Sequence, residues 1–266
     1  MEASSPKSLD IARIGPKTLE CPIHGDHTAN GVRLPGGREI WAECPACVAD
    51  RKAKDLRRNA DERSSNLRSK WDRMGLQSWI PARLLGSTFD TYKTLTQAQT
   101  EAKQIVREYA EGFGEHQKTG ASLILSGRPG TGKGHLAAAV VHALEPYRVP
   151  VYTSCLDMIR SIRGTWGRDA TCRELDLMRE LESCDLLILD EIGVQYGSDG
   201  EQTILFDVID RRYRSMNPTI FITNQNRAGF TQAIGERSYD RLKETARWVP
   251  FDWESYRPTA RKEAGL

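Results

Sequence analysis

The stretch SLILSGRPGTGKGHLAAAVVHAL, residues 122 to 144, constrains the fold of this chain more than any other. SLILS at 122 to 126 has the length and the uninterrupted apolar character of a buried strand. It runs through a glycine-rich loop straight into an apolar helix beginning near Gly134. Such a loop must turn sharply while aiming successive backbone N–H groups at one spot. Gly127, Gly130 and Gly132 permit that path, and the helix N-terminus adds the positive end of its dipole. Lys133 supplies a cation for the β and γ phosphates of a nucleotide, and Arg128, Pro129 and Thr131 fill the intervening positions of the cradle. Strand, loop and helix in this order are the setting in which G-x-x-x-x-G-K-[ST] binds ATP. Where the pattern ends in a hydroxyl, this chain has Gly134. One Mg²⁺ ligand is thereby lost, and because Mg²⁺ readily keeps several waters, a water is expected in its place. His135 follows; it reads either as a substitute ligand or as a helix position turned into the sheet.

The second half of a nucleotide site stands further on, in DLLILDE at 185 to 191. Four apolar residues of a buried strand end in two acids. Asp190 at the strand tip is placed to hold Mg²⁺, and Glu191 to orient and deprotonate an attacking water. VPVYT at 149 to 153 and TIFIT at 219 to 223 read as two more buried strands, and WVPFDW at 248 to 253 as an edge or final one. Each is separated from the next by a helical pattern, which predicts a parallel sheet with helices on both faces. Asn224, at the tip of TIFIT, either touches the γ phosphate or lytic water or caps the helix that starts near Arg227. Arg237 and Arg241 in GERSYDRL lie one helical turn apart. They read as solvated surface or, in a side-by-side assembly, as an arginine finger reaching a neighbour's γ phosphate.

The N-terminal third is of another kind. Cys21-x-x-His24 and Cys44-x-x-Cys47 are two close ligand pairs with nineteen residues between them, and the intervening glycines read as turns between short strands. Four soft or borderline ligands close a tetrahedral shell, which points to a structural Zn²⁺ held by Cys21, His24, Cys44 and Cys47. His27 is the alternative to His24. Cys155, Cys172 and Cys184 lack ligand spacing and read as core thiols. Between Arg51 and Arg73 nine Lys or Arg face four Asp or Glu with no Pro or Gly, which predicts a solvated helix or helix pair attractive to DNA or to an acidic surface. The whole-chain charge is only +2, so any nucleic-acid contact rests on local patches. No run approaches the eighteen or so apolar residues of a membrane helix, and a cytoplasmic protein without membrane contact is expected. The predicted organisation is a zinc module over 1–50, a basic helical linker over 51–79 and a nucleotide-binding domain over 80–266.

GRPGTGKGHLAAAV, LLILDEIGVQ, the strand-end TN, GERSYDRL and FDWESYR together resemble the AAA+ module of DnaC-type bacterial helicase loaders over roughly residues 80 to 258. IstB-type transposition ATPases are similar over much of the same module. The resemblance implies an α/β AAA+ P-loop fold with a parallel sheet and a short C-terminal lid. It implies ATP and Mg²⁺ as cofactors and a slow ATPase stimulated by DNA or a partner. It also implies Asn224 as the sensor at the strand tip, Arg241 as the arginine finger with Arg237 beside it, and Arg257 of WESYR as a second sensor. The partners implied are a hexameric DnaB-type replicative helicase, single-stranded DNA and further copies of the chain beside the helicase ring. LDMIRSIRGTW at 156 to 166 corresponds to the insertion with which such loaders contact single strands. Trp166 stands where a base would stack, with Arg160 and Arg163 spaced to follow phosphates; a partly buried tryptophan on an amphipathic helix is the other reading. A transposition regulator on duplex DNA and a nucleotide-dependent adaptor without hydrolysis are the competing functions.

Overall fold

The computed structural model describes residues 12–76, 80–194, 198–263 and 265. The chain divides into two compact units, residues 1–60 and 61–266, and the division falls inside one long helix.

The first unit is built on an antiparallel sheet of β1 (Ala12–Cys21), β2 (Gly25–Arg33) and β3 (Glu39–Trp41). Cys21 pairs with Gly25 across the β1–β2 turn, so CPIHG is the tip of a hairpin. Gly25 takes a φ of 74°, which lets the chain reverse there. Beyond β3 the helix α1 (Pro45–Arg73) begins, and Cys47 sits in its first turn.

In the second unit the last turns of α1 depart from the expected solvated helix. Trp71 is 1% exposed and packs with Leu76, Met158 and Leu177. Its indole N–H donates to Glu180 Oε2 at 2.9 Å, Lys70 pairs with the same carboxylate at 2.5 Å, and Arg68 pairs with Glu145. A helix too polar to build its own core therefore contributes one large aromatic to another.

After α2 (Gln97–Glu111) and α3 (Phe113–Thr119) the sheet begins with β4 (Ser122–Gly127), followed by α4 (Lys133–Leu144). Next come β5 (Pro150–Ser154), α5 (Cys155–Gly164), α6 (Glu174–Ser183) and β6 (Leu186–Ile192). The chain closes with α7 (Asp199–Arg214), β7 (Thr219–Thr223), α8 (Arg227–Ile234), α9 (Glu236–Thr245), β8 (Ala246–Phe251) and the short α10 (Arg257–Glu263). The five strands are parallel in the order β5-β6-β7-β4-β8, so WVPFDW supplies the edge strand beside β4. Buried side chains of α2, α3 and α4 pack on one face, and those of α5 to α9 on the other. This coverage explains why the strands read as continuous apolar runs. It also sets the carboxyl ends of β6, β7 and β4 next to one another, where open parallel sheets bind ligands.

One buried cation holds the far side of the sheet. Arg212, 1% exposed, donates to the carbonyls of Leu181, Glu182 and Cys184 at the end of α6, and to Pro218 O and Thr219 Oγ1 at the start of β7. A positive charge at a helix C-terminus is favourable, and the planar fork satisfies carbonyls that would otherwise be buried without donors.

Trp71→Ala is expected to lower unfolding stability by about 3–5 kcal/mol, read from the denaturant midpoint. Lys70→Ala, losing a half-exposed ion pair, should cost less than about 1 kcal/mol. Equal small losses would mean that the end of α1 is not part of the core.

Candidate functional site

The cleft at the carboxyl end of the sheet has a volume of about 340 Å³ and is lined by Gly130, Gly132, Lys133, Gly134, Asp190, Glu191, Thr223, Asn224 and Arg257, among others. Most of the residues expected at a nucleotide site from separate parts of the sequence therefore meet in one place. Leu84 and Tyr256 also line it, and neither carries a sequence signal of such a role.

The phosphate loop is held from outside. Trp253 Nε1 donates to the Thr131 carbonyl at 3.0 Å, the Tyr92 hydroxyl donates to the same oxygen at 3.2 Å, and the Tyr256 N–H donates to Gly130 O at 2.9 Å. Thr131 Oγ1 closes the turn on the Arg128 carbonyl at 2.8 Å, and Arg128 pairs with the exposed Glu254 at 2.8 Å. Lys133 Nζ donates back to the carbonyls of Gly127 at 2.6 Å and Arg128 at 2.8 Å. Burial pushes its ammonium down to about 8, against the pull of Asp190 and with the help of Arg257. His135 does not turn into the sheet. Its Nε2 lies 2.9 Å from the Thr88 carbonyl, and its ring stands edge-on to Tyr92 at 5.2 Å, so it fixes the segment before α2 against the loop.

The two acids sit on an irregularity. Leu189 pairs with Phe221 and Ile192 with Thr223, so Asp190 and Glu191 together oppose the single residue Ile222. This is a β-bulge, and Glu191 takes the left-handed φ of 60° within it. The bulge re-aims the pair into the cleft, and Thr223 Oγ1 secures its far side by donating to Ile192 O at 2.7 Å. Asp190 accepts the Glu191 N–H on Oδ1 at 2.7 Å and the Tyr152 hydroxyl on Oδ2 at 2.6 Å. Burial, with Asp190 alongside, holds the Tyr152 phenol protonated far above its ordinary range. Asn224 lines the cleft and does not cap α8, because Asn226 Oδ1 accepts the Gly229 N–H at 2.9 Å in that role.

The remaining candidates lie elsewhere. Arg237 is exposed on α9. Arg241 instead turns onto α7, where it pairs with buried Asp210 and stacks over Phe206 and Tyr213 at 5.1 and 5.7 Å. The shared face expected for the two arginines is thus divided between solvent and a packed ion pair. Trp166 follows α5 and is 57% exposed, its N–H donating to Glu174 at 2.5 Å, so the indole is not a core residue. Arg160 is exposed beside Asp157, and Arg163 lies 3.5 Å from the buried Glu201 of α7.

In the first unit the ligand atoms of Cys21, His24, Cys44 and Cys47 all lie within 4.8 Å of one another. His24 Nδ1 faces the sulfurs at 3.3 to 3.8 Å, and its Nε2 meets Asp50 at 3.0 Å, the carboxylate support usual behind a ligating imidazole. The backbone N–H groups of Ile23 and His24 bring the Cys21 thiol down to about 6, favouring thiolate. His27 is outside the cluster.

A family model described as IstB-like ATP binding protein matches residues 83–264. The chain is 35% identical over 213 residues to the replicative helicase loader DnaC of Escherichia coli (strain K12), spanning 79% of this chain and 85% of that one. Among solved structures it is similar to the DnaC helicase loader, with a TM-score of 0.57 at 23% identity over 64% of this chain and 99% of that one. It is also similar to the replication initiator DnaA bound to AMPPCP and single-stranded DNA, with a TM-score of 0.56 at 17% identity over 71% and 57% of the two chains. These structural likenesses show the AAA+ fold.

The lowered Lys133 has a thermodynamic signature. A nucleotide phosphate restores the charged ammonium, so binding favours the protonated form. Affinity should be highest below about pH 8 and fall as pH rises through it, with net proton uptake on ATP binding at about pH 8.5. Calorimetry in two buffers of different ionisation enthalpy measures that uptake, and its absence would mean that Lys133 is charged before the nucleotide arrives.

Proposed function

The chain belongs to the IstB-like ATP binding protein family, and from its likeness to replicative helicase loaders we propose that it is an ATP-dependent helicase loader acting in the initiation of DNA replication. In this reading it engages a hexameric DnaB-type replicative helicase and places it on single-stranded DNA. The observation that carries the proposal is the 35% identity to a replicative helicase loader over most of both chains.

The cleft supports an ATPase with the roles its residues suit. Lys133 and the amides of Gly130 to Lys133 bind the β and γ phosphates. Mg²⁺, when bound with the nucleotide, neutralises charge on the transferred phosphoryl group, and Asp190 would hold it. Glu191 takes the proton of the attacking water, Asn224 orients that water, and Arg257 contacts the phosphates from α10. Arg237 and Arg241 act on the nucleotide of an adjacent copy, which is why neither needs to line the cleft of its own chain. With Gly134 offering no hydroxyl, turnover is slow and the protein behaves as a switch between nucleotide states, stimulated by DNA or the helicase. Exposed Trp166 with Arg160 and Arg163 forms a single-strand contact, the ring taking a base while the guanidinium groups follow phosphates.

The four clustered ligands suit Zn²⁺, and the composition of their unit supports a structural role. The buried apolar residues described there are Cys21, Ala29 and Cys44, two of which are ligands. Such a unit draws most of its folding energy from the metal. By its position ahead of the ATPase unit it serves to grip the helicase.

The resemblance to IstB-type transposition ATPases carries a second reading, an ATPase that regulates transposition on duplex DNA. Native mass spectrometry of the chain with the host replicative helicase and ATP separates the two: a loader gives a defined complex and prefers single-stranded to duplex DNA. Trp166→Ala should then weaken single-strand binding by about 1–3 kcal/mol. No complex, together with a duplex preference, sinks the loader reading. Purified protein should carry one tetrahedral zinc, lost in Cys44→Ser together with the fold of residues 12–60; metal-free wild type that keeps that fold removes zinc from the account.

A further inference from the structure

The residue that breaks the phosphate-loop pattern and a tyrosine from a different strand compete for the same space. Gly134 lies in the first turn of α4. A Cβ there would stand 3.3 Å from Tyr152 Oη and 3.3 Å from Leu84 Cδ1, with Asp190 Oδ2 at 3.9 Å. Tyr152 already donates its hydroxyl to that same Oδ2 at 2.6 Å. A hydroxyl carried at position 134, one bond beyond such a Cβ, would have the phenol oxygen and this carboxylate oxygen as its nearest polar neighbours. The Tyr152 ring is 2% exposed, on a strand in register with β6, so it cannot swing aside without leaving the core.

We propose that Gly134 and Tyr152 form one functional unit, in which the glycine leaves room for the Tyr152 phenol to hold Asp190 at the Mg²⁺–ATP site. Tyr152 is a positioning residue: it acts on the metal through Asp190. The inference rests on the reading of the cleft as an ATP site. With Oδ2 held by Tyr152 and Oδ1 by the Glu191 N–H at 2.7 Å, the carboxylate is fixed through both oxygens. Each oxygen keeps a second acceptor position for a metal ion or a metal-bound water. A carboxylate held through one oxygen alone can rotate, and partners of this kind carry a substantial share of metal affinity. The glycine is then a requirement of the tyrosine, since a side chain at 134 would press on the phenol that holds Asp190. The hydroxyl nearest position 134 comes from β5, the strand beside the one that carries Asp190.

The experiment is a four-protein cycle of wild type, Tyr152→Phe, Gly134→Ser and the double variant, each titrated with Mn²⁺ by electron paramagnetic resonance in the presence of a non-hydrolysable ATP analogue. Analogue affinity in excess EDTA and the melting temperature without ligand are measured alongside. Tyr152→Phe should weaken Mn²⁺ binding about tenfold, leaving metal-free analogue affinity unchanged and lowering the melting temperature only slightly, because the ring still packs and one hydrogen bond is lost. Gly134→Ser should bring no gain in the wild-type background but restore Mn²⁺ affinity in the Tyr152→Phe background, where the phenol oxygen no longer stands in its way. Two results overturn the proposal: Mn²⁺ affinity unchanged in Tyr152→Phe, or an equal effect of Gly134→Ser in both backgrounds, which would make the positions independent. Wild-type protein that binds no nucleotide overturns the reading of the cleft and the proposal with it, an outcome distinct from the other two.

Discussion

The path of the phosphate loop depends on contacts made by chain segments far from it in sequence, and the nucleotide site depends on that path. β8 pairs with β4 along its whole length, ending with Phe251 opposite Gly127. The approach is so close that a Cβ on Gly127, at a φ of 151°, would lie 2.7 Å from the Phe251 carbonyl carbon. Beyond β8, Trp253 and Tyr256 engage the carbonyls of Thr131 and Gly130, while Tyr92 approaches from the segment before α2. A loop whose carbonyls already have donors has little left to rearrange when a ligand meets its amides, which is the economy of a preorganised site. Lys133 is the exception. Its two bonds to loop carbonyls must be exchanged for bonds to phosphate, and its depressed basicity marks how unfavourably the charge sits until then.

Much of the fold was legible because it follows from periodicity and local chemistry. Buried strands such as SLILS and TIFIT are recognisable as apolar runs bounded by polar tips, and a glycine-rich loop between strand and helix has few other uses. The Cys-x-x-His and Cys-x-x-Cys pairs were equally readable, since each is closed by a local turn and only the meeting of the pairs is long-range. What could not be read is what depends on strand order and side-chain direction. Nothing in LLILDEI announces that Asp190 and Glu191 share a bulge. Nothing in GERSYDRL says that Arg241 turns onto Asp210 while Arg237 stays in solvent. Asn224 reads as a cap of the helix that starts near Arg227, and only where the strand ends decides that Asn226, two residues on, caps α8 instead. Trp71 is the one aromatic residue of a charged helix, and the apolar surface that buries it includes Met158 and Leu177, about a hundred residues further along the chain.

Helix α7 connects surfaces that the sequence offers as unrelated. Its first turn carries Glu201, which meets Arg163 of α5 on the side where Trp166 is exposed. Two turns on it presents Asp210 to Arg241 of α9, and near its end Arg212 ties α6 to β7. Arg212, bonded to carbonyls of two other elements, anchors this end of α7. To reach a neighbouring copy in the proposed role, Arg241 would have to leave Asp210 and the rings of Phe206 and Tyr213. Removing one partner of a buried pair is costly unless another cation remains. Arg214 is that cation, 2.6 Å from the other carboxylate oxygen of Asp210. With Arg214 in place, departure of Arg241 would leave Asp210 a cationic partner. Exposed Arg237 and paired Arg241 stand one helical turn apart on α9 and differ in what each would give up in the role proposed for them.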